Sequence, residues 1–205
     1  MTFQLHQYDI TLKRVERSDI ELIRKWRNHP EIRSTMSYRR NISASQQEKW
    51  FDRVNNKLNY YFLIIVDGSY IGVINCKEVN LQEEYGEGGI FIWDENYLNT
   101  PYPVFASIIL LDFIFNVLKI GDKSFVRVLP ENGKAIAYNR GFGYALVPGQ
   151  EAKMTQWYVL TKGTYNLKAE KYRVASKNFT KTDGRLTFGG VASDRNLEKI
   201  NALLK

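Results

Sequence analysis

The chain is poor in the residues that build disulfide frameworks and metal sites. Among its 205 residues there is one cysteine, Cys76, and there are two histidines, His6 and His29. A single cysteine cannot form an internal disulfide, and Cys and His are not clustered at the spacing of a zinc site. We therefore expect no metal, and a reducing compartment, the cytoplasm.

Long apolar runs are also missing. The most apolar segment, residues 104–118, contains Asp112 and is shorter than the ~20 residues that cross a bilayer. The first residues, MTFQLHQYDITLK, have no apolar stretch of the kind that a signal peptide needs. These observations argue against a membrane span and against export by that route. Residues 104–118 are better explained as a core helix.

Positive charge is in excess, but it is not concentrated. The formal net charge is +7, yet Lys and Arg are scattered among acidic residues except at Arg39-Arg40. Nucleic-acid-binding proteins usually cluster basic residues on one face or interleave them with aromatic residues. We expect no nucleic-acid partner, because attraction of a polyanionic small ligand accounts equally well for the charge.

What the sequence does contain is enough apolar material for one packed domain. Hydrophobic residues make up 44% of the chain and aromatic residues 14%, which is typical of globular proteins. We expect one domain over residues 1–175 and a C-terminal extension, 176–205, of undetermined role. The extension ends with an apolar stripe at helical spacing, and a homodimer contact or packing on the core would each explain it. The stripe consists of Leu197, Ile200, Leu203 and Leu204.

The N-terminal third predicts a strand, two helices and a hairpin. Residues 10–15 alternate like a strand, and Ser18 or Asp19 begins a helix that Pro30 ends. Ser43 begins a second helix, because Gln46 follows three residues later as its capping-box partner. Two β-rich runs, residues 60–66 and 69–76, are joined by Asp67-Gly68, a pair that favours a two-residue hairpin turn.

The central stretch, residues 88–144, predicts a strand, a helix and a parallel strand. Residues 88–93 are typical of a buried strand, residues 102–118 of a helix, and residues 124–129 of a second strand. Asn132-Gly133 then either caps a short helix or forms a hairpin turn. Periodicity alone does not choose between the two. Beyond residue 144 we expect strands at 145–150 and 156–161 and a helix at 164–175.

Three stretches form a recognisable pattern: residues 128–136, VLPENGKAI, with Gly143-Tyr144 after them, residues 26–33, WRNHPEIR, and residues 110–115, LLDFIF. Together they resemble the GCN5-related N-acetyltransferases, and that resemblance favours the helix after Asn132. The similarity covers residues 10–161. It is closest to the branch that acetylates sugar nucleotides, ribosomal-protein N-termini and antibiotics.

The resemblance implies an α/β fold with a mixed, twisted sheet of six or seven strands and about four helices. It also implies transfer of an acetyl group from acetyl-CoA to a primary amine on a small molecule. We expect an amino-sugar nucleotide for surface glycan (polysaccharide) synthesis as the acceptor, with ribosomal-protein or antibiotic acetylation left open. The alternative is a scaffold or binding protein that kept the fold and no longer binds CoA.

Site residues follow from the same resemblance. Glu87 is the expected base, because an amine must lose its proton before it attacks a thioester. The alternative for Glu87 is a solvated charge in an acidic cluster with Glu83 and Glu84. The general acid of the family, a Tyr, falls on Asn139, so the adjacent Tyr138 is the candidate. Arg27, Asn28 and His29 are expected to hold the acceptor. The residues expected at the cofactor are Phe91, Ile92, Asn99, Thr100, Tyr102, Val104, Phe105, Asn132, Ala135 and Asn139.

One departure concerns the loop that holds pyrophosphate in the family. Its signature has glycine or alanine where this chain, in residues 98–103, LNTPYP, has Pro101 and Pro103. Proline has no N–H, so two donors are missing from the phosphate cradle. Pro is nevertheless comfortable in a first helical turn, which leaves neighbouring amides and the Thr100 hydroxyl as donors.

Overall fold

A single mixed sheet organises the chain in the computed structural model, which describes residues 2–190. Its strands are β1 (Gln4–Gln7), β2 (Ile10–Arg14), β3 (Tyr60–Val66), β4 (Ser69–Asn80), β5 (Tyr85–Ile92), β6 (Lys123–Val128), β7 (Ala145–Leu146), β8 (Gln156–Thr161) and β9 (Thr187–Gly189). The order across the sheet is β7-β8-β6-β5-β4-β3-β2-β1-β9. Only β5 and β6 are parallel; the other neighbouring pairs are antiparallel.

Six α-helices accompany the sheet within the described residues. They are α1 (Ile20–Asn28), α2 (Pro30–Ser34), α3 (Ala44–Val54), α4 (Tyr102–Asp112), α5 (Gly133–Phe142) and α6 (Lys162–Ser176). A π-helical turn, Phe113–Val117, continues α4. None of the helices described is both long enough and apolar enough to cross a membrane.

The helices divide between the two faces of the sheet. Helices α4, α5 and α6 bury the larger apolar cluster, including Phe105, Phe142 and Tyr165, against one face, which we call the α4 face. Helices α1, α2 and α3 cover part of the other, the α1 face, through a smaller cluster that includes Ile23 and Phe51. Helix α4 is apolar on nearly every side, which explains why its sequence shows no clean stripe.

The local signals in the sequence produce the predicted elements. Asp67 and Gly68 have φ of 48° and 77°, as a two-residue hairpin between β3 and β4 requires. Ser43 and Gln46 form the predicted capping box of α3. The Asn132 side chain accepts a hydrogen bond from the Ala135 amide at 3.1 Å and so caps α5, which excludes the hairpin alternative.

Several boundaries differ from the predictions. Strands β1 and β9 were not predicted, and the predicted strand at 145–150 is reduced to two residues, β7. A short 3-10 turn, Arg17–Asp19, precedes α1 and has Glu16 as its N-cap residue. Asp19 is the N-cap residue of α1, as one of the two predicted alternatives has it, but its side chain accepts from the Glu16 amide and not from an amide of the helix. The predicted division at residue 175 stays a prediction, although β9 from the extension pairs with β1. The apolar stripe after residue 196 lies outside the described residues.

Candidate active site

The two parallel strands at the centre of the sheet separate part of the way along their length. Their register runs from Tyr85 opposite Lys123 to Gly88 opposite Val126 and ends there. Residues 89–92 of β5 pair only with β4 on the other side. The backbone N–H and C=O groups of these residues that face β6 therefore have no ladder partner, and an extended ligand with amide groups could pair with them.

Polar side chains gather on the α1 face at the level where β5 and β6 separate. Because side chains alternate along a strand, Glu87, Gly89 and Phe91 share this face of β5. Their cross-strand partners on β4 are Lys77, Asn75 and Val73, in that order. A row of charged, amide and aromatic groups thus borders the opening between the strands.

Glu87 is the central charge of this row. It is 5% exposed, with Oε1 3.0 Å from Lys77 Nζ and 3.0 Å from Arg127 Nε, and Oε2 2.8 Å from Arg127 Nη2. Arg127 in turn lies over the Trp157 ring, 5.0 Å from its centroid. Glu87 is therefore a buried, doubly paired carboxylate in a central strand, and its expected alternative as a solvated charge beside Glu83 and Glu84 is wrong.

Tyr61 borders the middle of the row, on strand β3. It faces Asn75 across β3 and β4 and packs edge-on against Trp50 of α3, with ring centroids 5.0 Å apart. Burial, and to a smaller extent the Glu87 carboxylate, raise the pKa of Tyr61 to about 12, so the phenol is neutral at physiological pH. It can serve as a hydrogen-bond group, not as an anion.

Arg27 lies above the row on helix α1. Its guanidinium is 5.9 Å from the centroid of the Phe91 ring, and its buried Nη1 has no hydrogen-bond partner within residues 2–190. Burial lowers its pKa from the usual value. A desolvated guanidinium without such a partner is costly to the fold, so Arg27 has the features expected of an anion-binding group.

The two neighbours of Arg27 in the motif are placed differently. The Asn28 carboxamide donates to the Ile42 carbonyl at 2.9 Å and accepts from the Ile42 amide at 2.8 Å. Both ends of that side chain are therefore used to tie α1 to the segment before α3. His29 is exposed, with its ring 5.7 Å from that of Trp26. Of the three residues predicted to hold the acceptor, Arg27 alone has an unpaired polar atom beside the row of side chains on β5.

The turn before α4 has few donors left for a phosphate. Pro101 and Pro103 have no N–H, the Thr100 amide and hydroxyl both donate to the Tyr97 carbonyl, and the Phe105 amide donates to Pro101. In the described part of the chain, no acceptor is present for the amides of the remaining predicted residues, which are Asn99, Tyr102 and Val104. The cradle keeps three backbone donors.

Acidic side chains lie near this turn. The pKa of Tyr102 is raised mainly by desolvation and further by Asp67 and Asp9, which lie in the β3–β4 and β1–β2 turns. A negative potential at a helix N-terminus opposes the attraction that the helix dipole exerts on a phosphate. The turn is therefore less favourable to pyrophosphate than an ordinary helix start.

Helix α5 uses its predicted site residues mostly for its own structure. Asn132 caps the helix through its oxygen, and Asn139 donates to the Ala135 carbonyl at 2.8 Å. Tyr138 donates to the Pro103 carbonyl at 2.7 Å and lies 2.8 Å from the Ser107 hydroxyl, and burial raises its pKa. These contacts fasten α5 to the start of α4. The assignment of Tyr138 as general acid stays a prediction.

Phe91, Ile92 and Phe105, predicted at the cofactor, divide between the two faces. Phe91 belongs to the α1-face cluster, whereas Ile92 and Phe105 are buried in the α4-face core. Ile92 and Phe91 can therefore meet a ligand between the strands through their backbone groups. In residues 2–190 no three His, Cys, Asp or Glu side chains are grouped as metal ligands would be.

The sequence did not reveal Asn75, Tyr61, Lys77 and Arg127 as members of this row. They come from three strands and meet Glu87 and Gly89 only through the register of the sheet. The one signal available was in β4, where Asn75 and Lys77 stand at alternate positions after the run Ile71-Gly72-Val73-Ile74.

Comparison with known proteins gives a family and a set of similar folds. Residues 9–144 match the model of the acetyltransferase (GNAT) domain. No sequence among the curated proteins matches this chain.

Two solved structures illustrate the similarity. Spermidine N-acetyltransferase from Vibrio cholerae, in complex with CoA and spermine, superposes with a TM-score of 0.67 at 19% identity, over 77% of this chain and 98% of that one. FdhC, a nucleotide-linked sugar GNAT in its apo form, gives a TM-score of 0.69 at 22% identity, over 88% and 99% of the two chains. The TM-scores establish a common fold, and at these identities they establish the fold alone.

Proposed function

This chain belongs to the GNAT acetyltransferase family, and from that premise we propose that it acetylates the primary amine of an amino-sugar nucleotide, with acetyl-CoA as donor. One observation carries the proposal. The opening between β5 and β6 meets the α1 face at Gly89, and the charged and amide side chains stand at that same level. An acyl donor between the strands and an amine on the α1 face would meet there.

The residues present fit the pantetheine arm of an acyl-CoA, along β5, better than they fit its phosphates. The unpaired edge of residues 89–92 suits the amide groups of a pantetheine arm. The amides of Asn99, Tyr102 and Val104 would hold the pyrophosphate, and the Asn132 and Asn139 carboxamides and Ala135 would border the arm from α5. When bound, this co-substrate supplies an acetyl thioester. Binding of this co-substrate is weakest at the turn with Pro101 and Pro103, which has few donors for its phosphates.

Glu87 is the group proposed to take the proton. The amine nitrogen attacks the thioester carbonyl carbon, the carbon–sulfur bond breaks, and sulfur leaves as a thiolate. The proton lost by nitrogen passes to Glu87, directly or through water. Lys77 and Arg127 fix the orientation of the carboxylate. Tyr138 remains the proposed acid, although a thiolate can leave without one.

The charge of the acceptor side favours an anionic acceptor over a polyamine. Residues 24–40 contain six Lys or Arg side chains and one Glu; two of the six, Arg24 and Arg39, pair with Glu21 and Glu131. Arg27 has a buried N–H without a hydrogen-bond partner among residues 2–190. The diphosphate of a sugar nucleotide would complement such a surface, whereas a polycation would be repelled. A cytoplasmic location accords with this proposal, because acetyl-CoA and sugar nucleotides are available there.

A scaffold protein that no longer binds CoA is the second candidate. The turn before α4 favours it. Two prolines there lack an N–H, both Thr100 donors are bonded to the Tyr97 carbonyl, and Asp67 adds negative charge nearby, so phosphate binding is weakened. The α1 face argues against it, because a protein without a substrate has no need to keep a buried Glu87 carboxylate and an unpaired, buried Arg27 Nη1 near one opening.

Two measurements separate the candidates. The first is incubation of the protein with acetyl-CoA and a panel of amines, comprising 4-amino-sugar nucleotides, spermidine, an aminoglycoside and a peptide N-terminus, with products detected by mass. We expect acetylation of a sugar nucleotide. The second is thermal unfolding with CoA, where ligand at about 100 times its Kd stabilises the fold by ~2.7 kcal/mol. No product from any amine and no shift at millimolar CoA would establish the scaffold.

A further inference from the structure

Asn75 is a buried polar residue whose side-chain oxygen is left without a partner. It lies in the middle of β4 on the α1 face and is 9% exposed, and its Oδ1 accepts no hydrogen bond from any described residue. Buried polar atoms are nearly always paired, because an unpaired one retains the full cost of leaving water. An apolar residue at this position would suit the fold better, so the carboxamide needs another explanation.

The space that the carboxamide occupies is made by Gly89. Gly89 is the cross-strand partner of Asn75 on β5. A Cβ atom at Gly89 would lie 3.1 Å from Asn75 Nδ2 and 3.4 Å from Oδ1. Glycine is thus the residue that lets the carboxamide lie over the bare strand backbone, between the side chains of Glu87 and Phe91.

This position coincides with the opening between the parallel strands. Gly88 is the last residue of β5 that pairs with β6, so Gly89 is the first whose β6 side is open. The Asn75 carboxamide therefore lies over the first residue of β5 whose β6 side is open, on the face that also holds Glu87 and Arg27. Three independent features, namely the unpaired atom, the glycine and the end of pairing, meet at one point.

We propose that Asn75 binds the acceptor amine, with Oδ1 accepting one of its N–H groups; this inference rests on the proposed acetyl transfer. A neutral primary amine has two N–H groups and one lone pair. With one N–H on Asn75 and the other directed to Glu87, the lone pair is turned toward the opening between the strands. After attack the nitrogen is positively charged, and its proton passes to Glu87 along their hydrogen bond. Asn75 thus orients the nitrogen, and Glu87 accepts its proton.

The test compares Asn75→Ala and Asn75→Asp with the wild type. Steady-state rates are measured with acetyl-CoA and the 4-amino-sugar nucleotide that the wild type acetylates, and melting temperatures are recorded in parallel. Gln7→Ala is the matched control. Gln7 is another buried amide with an unpaired oxygen, but it lies on β1, three strands away, and its Nε2 donates to the Gly184 carbonyl at 2.6 Å.

Loss of one hydrogen bond to the amine should lower kcat/KM for the acceptor roughly tenfold in Asn75→Ala. The KM for acetyl-CoA should stay at its wild-type value. The melting temperature should hold or increase, because no internal hydrogen bond is lost and an unpaired buried oxygen is removed. Asn75→Asp keeps an oxygen in place and should recover part of the loss. Gln7→Ala should lower the melting temperature and leave the acceptor kinetics unchanged.

The outcomes distinguish this inference from the proposal beneath it. An active wild type with an Asn75→Ala variant of equal kcat/KM overturns the role of Asn75 alone. A fall in melting temperature that accounts for the lost activity would show that Asn75 is a structural residue, and would also overturn its role in binding the amine. A wild type that acetylates no amine overturns the proposed function, and the role of Asn75 with it.

Discussion

The α1 face of β5 and the first turn of α4 are close in sequence, yet they differ in how many of their polar groups are left without an internal partner. Along β5, Glu87 is paired with two cations, and the α1 face keeps unpaired polar atoms on Asn75 and Arg27. At the turn, prolines remove two donors, and internal bonds occupy those of Thr100 and Phe105. The fold therefore carries the cost of buried polar groups where an acceptor would bind and has few donors where phosphates would bind.

This difference indicates which half of the reaction limits the protein. Uncompensated polar groups destabilise a fold and tend to remain where they serve a ligand. In the proposed reaction, the acceptor would meet specific polar groups, whereas affinity for the donor would come mainly from the open strand edge. We expect weak CoA binding together with strict choice of acceptor, and each prediction below tests one side of that contrast.

The largest effect is expected at Glu87. Changing Glu87→Gln keeps the size of the side chain and removes its ability to take a proton, so kcat should fall roughly 100-fold with little change in the KM for acetyl-CoA. Steady-state kinetics across pH would measure this. The matched control is Glu83→Gln, an exposed residue of the adjoining connection. A Glu87→Gln variant with wild-type kcat would show that the carboxylate only supports Lys77 and Arg127.

The next effect is expected at Arg27. Arg27→Met preserves the apolar stem over Phe91 and removes the guanidinium, so the KM for a sugar nucleotide should rise roughly 10- to 100-fold, as loss of a charge-assisted bond implies. The melting temperature should hold or increase, because an unpaired buried N–H disappears. Arg24→Met is the control, since Arg24 is bonded to Glu21. Equal acceptor kinetics in both variants would contradict an anion site at Arg27.

A gain of function is expected at the turn. The double variant Pro101→Gly, Pro103→Gly restores two backbone donors and should bind CoA about five- to tenfold more tightly, at the cost of a lower melting temperature. Calorimetric titration with CoA measures the first effect. Pro148→Gly, in the turn after β7, is the control for added flexibility. Unchanged CoA affinity would mean that the turn does not contact the phosphates.

The smallest effect is expected at Asp67. Asn tolerates the positive φ of 48° at this position, so Asp67→Asn removes a negative charge without disturbing the hairpin. CoA should then bind about twofold more tightly at low ionic strength, and the difference should vanish in high salt. The pKa of Tyr102 should fall, because Asp67 is one of the groups that raise it. A Tyr102 titration unaffected by the change would place Asp67 too far away to matter.

Local sequence signals were sufficient for most of the fold. The capping box at Ser43 and the Asp67-Gly68 turn involve residues only a few positions apart, so the sequence contains the whole interaction. The short strands at the edges were missed for a related reason. β9 is three residues long, too short to show alternation, and it forms only because β1 offers it a partner.

The candidate site was only partly predictable because its members meet through sheet register. Arg27 and Asn28 are adjacent in one motif, but a helix rotates about 100° per residue, so one faces the β5 row and the other clamps Ile42. Glu87 was placed in an acidic cluster because Glu83 and Glu84 precede it in the sequence. Its neighbours in the fold, Lys77 and Arg127, lie on the two flanking strands, and no local sequence pattern predicts them.

Strand β9 has a consequence for how the chain behaves when it is shortened. It occupies the free side of β1, and Phe188 stacks on Phe3 with ring centroids 6.3 Å apart. Without it, the backbone of β1 would be an open strand edge beside exposed apolar rings, a surface on which identical molecules can add strand to strand. Residues 187–189, which lie beyond the residues that match the family model, thus cover an edge at which β1 would otherwise be open to strand addition.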